Sequence, residues 1–186
     1  MVKFESSLSS GARAVFLDRD GVINQAMVRD GKPYAPRKAE NFIILPGVDD
    51  AIVRIRSLGF LVLVVTNQPD INNKQVDPAE ISVMHDRLAH LPIEKIYVCP
   101  HSQREGCLCR KPNPGMLFKA RDEFNIDLSR SYMVGDRQSD VEASNSAGCT
   151  SIFIDKNYTE TDLVDHDVVC YSLPEFALLL ERFINV

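Results

Sequence analysis

Asp18 and Asp20 stand two residues apart in the run FLDRDGVIN, directly after the apolar stretch Ala14–Leu17. Two carboxylates at a strand end can supply an anionic nucleophile or metal ligand and a proton donor for a leaving group. A second pair comes late in the chain, where GDRQSD places Asp136 and Asp140 after a β-rich run at 131–134. Between the pairs, TNQ (Thr66, Asn67 and Gln68) follows a run at 60–65. CRKP, with Arg110 and Lys111, closes the stretch after the run at 95–98. Singly, each motif reads as a turn, a cap or a surface cation. Together they offer oxygen ligands for Mg²⁺, a hydroxyl, amides and a lysine, which is what metal-assisted phosphoryl transfer requires. One further cluster stands out. CPHSQREGCLCRKP gathers three of the five cysteines and one of the four histidines immediately before two cations.

These groups meet only if strands deliver them to one edge. Besides the runs above, β-rich segments occur at Thr150–Ile154 and, more weakly, at Val168–Cys170. In 48–58, Val48, Ala51, Ile52, Ile55 and Leu58 follow the helical period. Asp77-Pro78-Ala79-Glu80 reads as an N-cap, Pro at N1 and Glu at N3, opening a helix through Ile81, Met84 and Leu88. Asn113-Pro114 opens Gly115–Phe124, Gly148 stops a helix over 140–147, and Ser172-Leu173-Pro174-Glu175 is another capping box. The alternation predicts an α/β, Rossmann-like, doubly wound and mostly parallel sheet with ligands at the carboxyl ends of its strands. Two long connections, 24–45 and 99–113, are expected to be functional. Neither a repeat nor a linker divides residues 1–186, so a single domain is expected.

The charge balance narrows the partners. Twenty-one basic against 26 acidic residues leave a net charge of -5, which argues against broad nucleic-acid or anionic-membrane binding. The longest apolar run, 60–65, is too short to cross a bilayer. The first residues lack a signal-peptide pattern, and an odd, crowded set of cysteines does not suit a secreted disulfide framework. A cytoplasmic monomer acting on a small molecule is expected.

FLDRDGVIN, TNQ, CRKP and GDRQSD resemble the four motifs of the haloacid dehalogenase superfamily of phosphohydrolases. The cysteine cluster and KPNPGML are similar to the branch that contains D-glycero-D-manno-heptose bisphosphate phosphatase and the histidinol-phosphate phosphatase domain. The resemblance runs from about Ala14 to Ile154 and implies a role for each position. Asp18 would be the nucleophile that forms an aspartyl-phosphate, and Asp20 the acid and then the base. Mg²⁺ would sit on Asp18, the Asp20 carbonyl and Asp136, with Asp140 supporting. Thr66 and Lys111 would hold the phosphoryl oxygens. Asn67, Gln68, Arg110 and Arg137 complete the expected substrate contacts.

Cys99, His101, Cys107 and Cys109 form a Cys₃His set that suits structural zinc. The spacing is not the common C-x₂-C, so this reading leans partly on the resemblance; a disulfide or inert thiols are the alternatives. Cys149 and Cys170 read as small buried residues. Helix and strand largely fill the intervals between Asp18, Thr66 and Lys111, so a capless enzyme is expected, its pocket built from loops that zinc would stiffen. The chain departs from the branch at Pro69-Asp70, at Arg137 and in the length of 24–45. The resemblance implies a sugar-phosphate phosphatase for the heptose 1,7-bisphosphate. The alternatives are a histidinol-phosphate phosphatase and, in another class, an inactive zinc-containing binding module.

Overall fold

The computed structural model of the protein describes residues 11–159 and 165–184. Residues 1–10, on which the reading of the N-terminus rests, lie outside the described residues. In chain order the elements are β1 (Ala14–Leu17), β2 (Met27–Arg29), β3 (Lys32–Tyr34), α1 (Val48–Ser57), β4 (Leu61–Asn67), α2 (Pro78–Asp86), β5 (Lys95–Cys99), α3 (Gly115–Phe124), β6 (Tyr132–Gly135), α4 (Gln138–Ala147), β7 (Thr150–Ile154), β8 (Val168–Cys170) and α5 (Leu173–Ile184). A six-stranded sheet runs in the order β5-β4-β1-β6-β7-β8, with every neighbouring pair parallel. The chain moves outward from β1 through β4 to β5, then returns to the other side of β1 for β6. That reversal opens a crevice at the carboxyl ends of β1 and β6.

The two-residue period of β1 divides the core. Val15 and Leu17 pack with Ile52 and Ile55 of α1 and Phe176 and Leu180 of α5. Ala14 and Phe16 pack on the opposite face with Met116, Leu117 and Ala120 of α3. Covered on both sides, β1 is a continuous apolar run, as a central parallel strand should be. Cys149 and Cys170 are buried, as expected. Among the described residues, each connection between successive sheet strands up to β7 holds one α-helix and only the β1–β4 connection adds a hairpin, the capless arrangement that the spacing predicts. No helix of the described residues is long and apolar enough to cross a membrane.

Local signals act with some changes of partner. Asp77 caps α2 by accepting from the Ala79 N–H at 2.9 Å. Glu80 is diverted to the Ala39 N–H, at 2.7 Å, and to Lys38, at 3.1 Å. Because α2 stops at Asp86, buried Leu88 packs from the turn beyond it. Gly148, at φ 76°, ends α4. The stretch 24–45 is a hairpin rather than a bare loop. Asp30 and Gly31, at φ 50° and 73°, make its turn between β2 and β3, the conformation that an Asp-Gly pair favours. The Gly31 carbonyl accepts from the Thr159 N–H at 3.0 Å, beyond β7. Arg37 donates to Asp70 at 2.6 Å, beyond β4. The hairpin stretch is thus tethered on either side of β1.

Candidate active site and metal centres

Asp18 leaves β1 with its N–H bonded to the Val134 carbonyl at 2.9 Å, which fixes it to β6. Lys111, at the end of the cysteine loop, brings its Nζ to Asp18 Oδ1 at 2.8 Å, the Val65 carbonyl at 2.8 Å and Asp140 Oδ1 at 2.6 Å. The lysine is only 3% exposed. Burial opposes its charge, but Asp140 and Asp18 outweigh that and hold the amine above its ordinary range. Asp18 is pushed up to about 6, by burial first; Lys111 opposes the rise, while Asp140 and Asp20 add to it. Asp136 is raised well above the usual carboxylate range, by burial and then by Asp18 and Asp140. Tyr158, from the connection after β7, is the donor turned toward it. One lysine does not neutralise this many carboxylates.

Asp18, Asp136 and Asp140 each place a carboxylate oxygen within 4.8 Å of the others. Neither Asp136 oxygen has a well-formed hydrogen bond, and Asp140 Oδ1 has only its ion pair with Lys111. Buried carboxylate oxygens with so few donors are rare in folded proteins. A hard divalent cation that takes oxygen ligands, such as Mg²⁺, accounts for these, so the donor set fits that ion. Asp140 also accepts from the Arg137 N–H at 3.1 Å, so the start of α4 holds it from behind. Two glycines make room. A Cβ on Gly21, at φ +95°, would lie 1.8 Å from Asp136 Oδ2, and one on Gly135 would lie 2.1 Å from Asp140 Cβ. Both stand inside motifs already recognised, yet sequence reasoning gave them no role.

Asp20 is held by a different group of residues. Arg19 is fully buried and donates to both of its oxygens, Nε and Nη2 to Oδ1 at 3.2 and 3.0 Å and Nη2 to Oδ2 at 3.0 Å. Asn24 donates to Oδ1 at 3.0 Å and Gln68 to Oδ2 at 2.7 Å. The same Gln68 amide donates to Thr66 Oγ1 at 2.9 Å, so Thr66 and Asp20 share one brace. Asn67 turns to the main chain of Lys111, donating to its carbonyl at 3.0 Å and accepting from its N–H at 3.1 Å. Thr66 and Asn67 are the last residues of β4 rather than the loop after it. Arg137 is exposed at the N-cap of α4, and half-buried Arg110 donates to the His101 carbonyl at 3.3 Å. Arg19 and Asn24 escaped sequence reasoning. A charged residue between two site aspartates was the available signal, because arginine is rarely buried without a partner.

The four soft ligands also converge. Cys99 Sγ lies 3.5 Å from His101 Nδ1, 3.6 Å from Cys107 Sγ and 3.3 Å from Cys109 Sγ. Cys109 Sγ lies 3.3 Å from His101 Nδ1 and 3.5 Å from Cys107 Sγ. These thiols are free rather than bridged, and the set could hold a metal ion. Cys99 ends β5, so the cluster is rooted in the sheet. Asn113 bonds the Cys107 carbonyl at 2.9 Å, and the Gly115 N–H at the head of α3 bonds the Leu108 carbonyl at 3.2 Å. Lys111 therefore leaves a loop anchored at both ends.

Comparison with known proteins agrees with this geometry. Residues 108–176 match the HAD-hydrolase-like family model. The chain is 36% identical over 153 residues to the D-glycero-beta-D-manno-heptose-1,7-bisphosphate 7-phosphatase of Escherichia coli K12, covering 75% of this chain and 77% of the relative. It is 37% identical over 146 residues to the enzyme of that name from Pseudomonas aeruginosa, covering 75% and 79%. The crystal structure of the D,D-heptose 1,7-bisphosphate phosphatase of B. bronchiseptica with magnesium and phosphate superposes with a TM-score of 0.80 at 31% identity, covering 92% of this chain and 99% of that one. With the paired carboxylates, the buried lysine and the parallel sheet, these likenesses establish that the chain belongs to the haloacid-dehalogenase-like hydrolase family of phosphatases.

Proposed function

We propose that this chain is a Mg²⁺-dependent phosphatase that removes the 7-phosphate of D-glycero-D-manno-heptose 1,7-bisphosphate. The observation that carries the reading is the meeting of Asp18, Asp136, Asp140 and Lys111 in one buried cluster. Mg²⁺ held by Asp18, Asp136 and the Asp20 carbonyl, with Asp140 in support, would offset the carboxylates and polarise the phosphoryl oxygens. Lys111 and the Thr66 hydroxyl hold the equatorial oxygens. An Asp18 oxygen attacks phosphorus in line and the P–O bond to the sugar breaks. Asp20 gives its proton to the departing sugar oxygen. Water then attacks the aspartyl-phosphate, Asp20 takes the proton from that water, and the Asp18–phosphorus bond breaks to release phosphate. Asn67 serves by fixing the Lys111 main chain, Gln68 by bracing Asp20 and Thr66. Arg110 and Arg137 hold the part of the substrate that does not react.

The cysteine loop is a structural zinc site in this reading. A regular tetrahedron with the edges found here has its centre ~2.0–2.2 Å from each corner, close to ordinary Zn–N and Zn–S lengths. Four protein ligands leave no position for water, so zinc would stiffen the base from which Lys111 projects. Elemental analysis of Mg²⁺-free protein is expected to find one zinc per chain; folded protein without zinc or a comparable metal would remove this part.

The relatives above carry the heptose name, which favours that ester over histidinol phosphate. Phosphate release from heptose 1,7-bisphosphate, histidinol phosphate and a simple aryl phosphate tests the choice. The heptose ester is expected to show the highest kcat/KM, with turnover dependent on added Mg²⁺. Preference for histidinol phosphate would overturn the substrate, and silence on all three would leave the binding module.

A further inference from the structure

Arg19 is buried to 0% exposure, so every donor of its guanidinium needs a partner. Nε and Nη2 are committed to Asp20. Nη1 lies 3.2 Å from Nε2 of His85, a residue 66 positions away in the last turn of α2. A guanidinium can only donate, so His85 Nε2 is the acceptor and the ring is neutral with its proton on Nδ1. Burial, then Arg19, pushes the histidine down to about 4, which agrees with that tautomer. The ring of Phe42 lies 5.5 Å from the same guanidinium.

We propose that His85 is a positioning residue for phosphoryl transfer: it holds Arg19 in the orientation that presents Asp20 to the leaving oxygen. The proposal rests on the reading of Asp20 as acid and base given above. Arg19 has three directions to satisfy: the two Asp20 oxygens take one edge of the fork, Phe42 lies against the guanidinium, and His85 closes the far end. Without an acceptor at that end, a buried Nη1 has no partner and the fork turns to find one. The turn takes away the three Arg19 hydrogen bonds and leaves the Asp20 carboxyl on a single contact per oxygen, from Asn24 and Gln68, so it shifts. The other charged groups felt at His85 are Asp20 itself and Asp86, its neighbour on α2.

The consequence is selective. Proton donation to the leaving group matters for a sugar alkoxide, a strong base that cannot depart unprotonated. It matters little for the weakly basic phenolate of p-nitrophenyl phosphate. kcat/KM reports the first transfer to Asp18, so comparing the two esters isolates the acid's contribution from general damage to the site.

The test measures kcat/KM on heptose 1,7-bisphosphate and p-nitrophenyl phosphate with saturating Mg²⁺, for wild type, His85→Leu, His85→Gln and Asp20→Asn. His85→Leu is expected to lose about tenfold on the sugar ester, a fraction of the full acid contribution, and under about threefold on the aryl ester. His85→Gln, which keeps an acceptor near the Nε2 position, is expected to recover most of the sugar activity. Asp20→Asn sets the limit, with the same selectivity and a larger loss. Melting curves establish that each variant is folded, and His85→Ala replaces the leucine variant if that one is not. Equal losses on both esters, or no recovery by glutamine, would overturn the positioning role. An Asp20→Asn variant without leaving-group selectivity would instead overturn the assignment of Asp20, and a wild type inactive on both esters would overturn the phosphatase reading.

Discussion

Asp18 sits in a pocket that penalises its charge, and that cost has a pH signature. Its folded value of about 6 stands above the ordinary 3.8, so between those values the folded protein holds a proton that the unfolded chain has lost. Stability contributed by this group is therefore greatest at low pH and falls as pH rises through the window. In Mg²⁺-free buffer, Asp18→Asn is expected to gain melting temperature relative to wild type from about pH 4 to about pH 6. A difference that stays flat across that range would show that burial is not felt at this carboxyl. Gly21 is tested differently. A side chain there meets Asp136 Oδ2 at 1.8 Å and must adopt φ +95°. Gly21→Ala should weaken apparent Mg²⁺ affinity in an activity titration and destabilise the fold by about 1 kcal/mol or more. An unchanged Mg²⁺ midpoint would mean that Asp136 does not hold the ion.

Two connecting elements carry the site, and they differ in what holds them. In the zinc reading proposed above, the Cys₃His cluster anchors the cysteine loop, so Cys109→Ser should lower both melting temperature and activity, because Lys111 loses its fixed base. Wild-type behaviour in that variant would show that the loop does not depend on the cluster. The hairpin stretch is tied to the loop after β4 by Arg37 and Asp70, whose side chains are 40% and 20% exposed. Such a pair is worth about 0–1 kcal/mol to stability. Arg37→Ala should therefore leave the melting temperature nearly unchanged; a fall of several degrees would show that this tether carries more of the fold than an exposed pair accounts for. The strands and helices are legible in the sequence because local chemistry marks them. β1 is apolar throughout, Asp77-Pro78 opens α2 and Gly148 closes α4. The hairpin was less visible, since strands of three residues are too short for alternation to show, although Asp30-Gly31 signalled its turn. The pairing of Arg37 with Asp70, which joins two departures from the family pattern, spans 33 positions. The link from Arg19 to His85 spans 66. No local pattern carries either one, because both depend on which elements the sheet order brings together.

At the scale of the whole molecule, a parallel sheet with its switch point between β1 and β6 delivers a chain of net charge -5 to an anionic substrate. That combination works only if charge is offset locally. Lys111 supplies one buried cation, and the carboxylates of Asp18, Asp136 and Asp140 form an oxygen cradle whose charge a divalent cation would offset. The motifs were legible as a set because each stands at or beyond the carboxyl end of a strand. Their distances were not, since they depend on register across the sheet: the Asp18 N–H bonds to β6, and Thr66 lies beside Val98 of β5. The central claim is that the Asp18 carboxylate is the covalent nucleophile of a Mg²⁺-dependent phosphatase. Phosphate release from heptose 1,7-bisphosphate by folded Asp18→Asn, beside wild type with and without Mg²⁺, tests it most directly. The expected result is Mg²⁺-dependent turnover by wild type and a loss of about a thousandfold or more in the variant. Turnover by the variant within about tenfold of wild type would contradict it, because an amide cannot replace the attacking carboxylate.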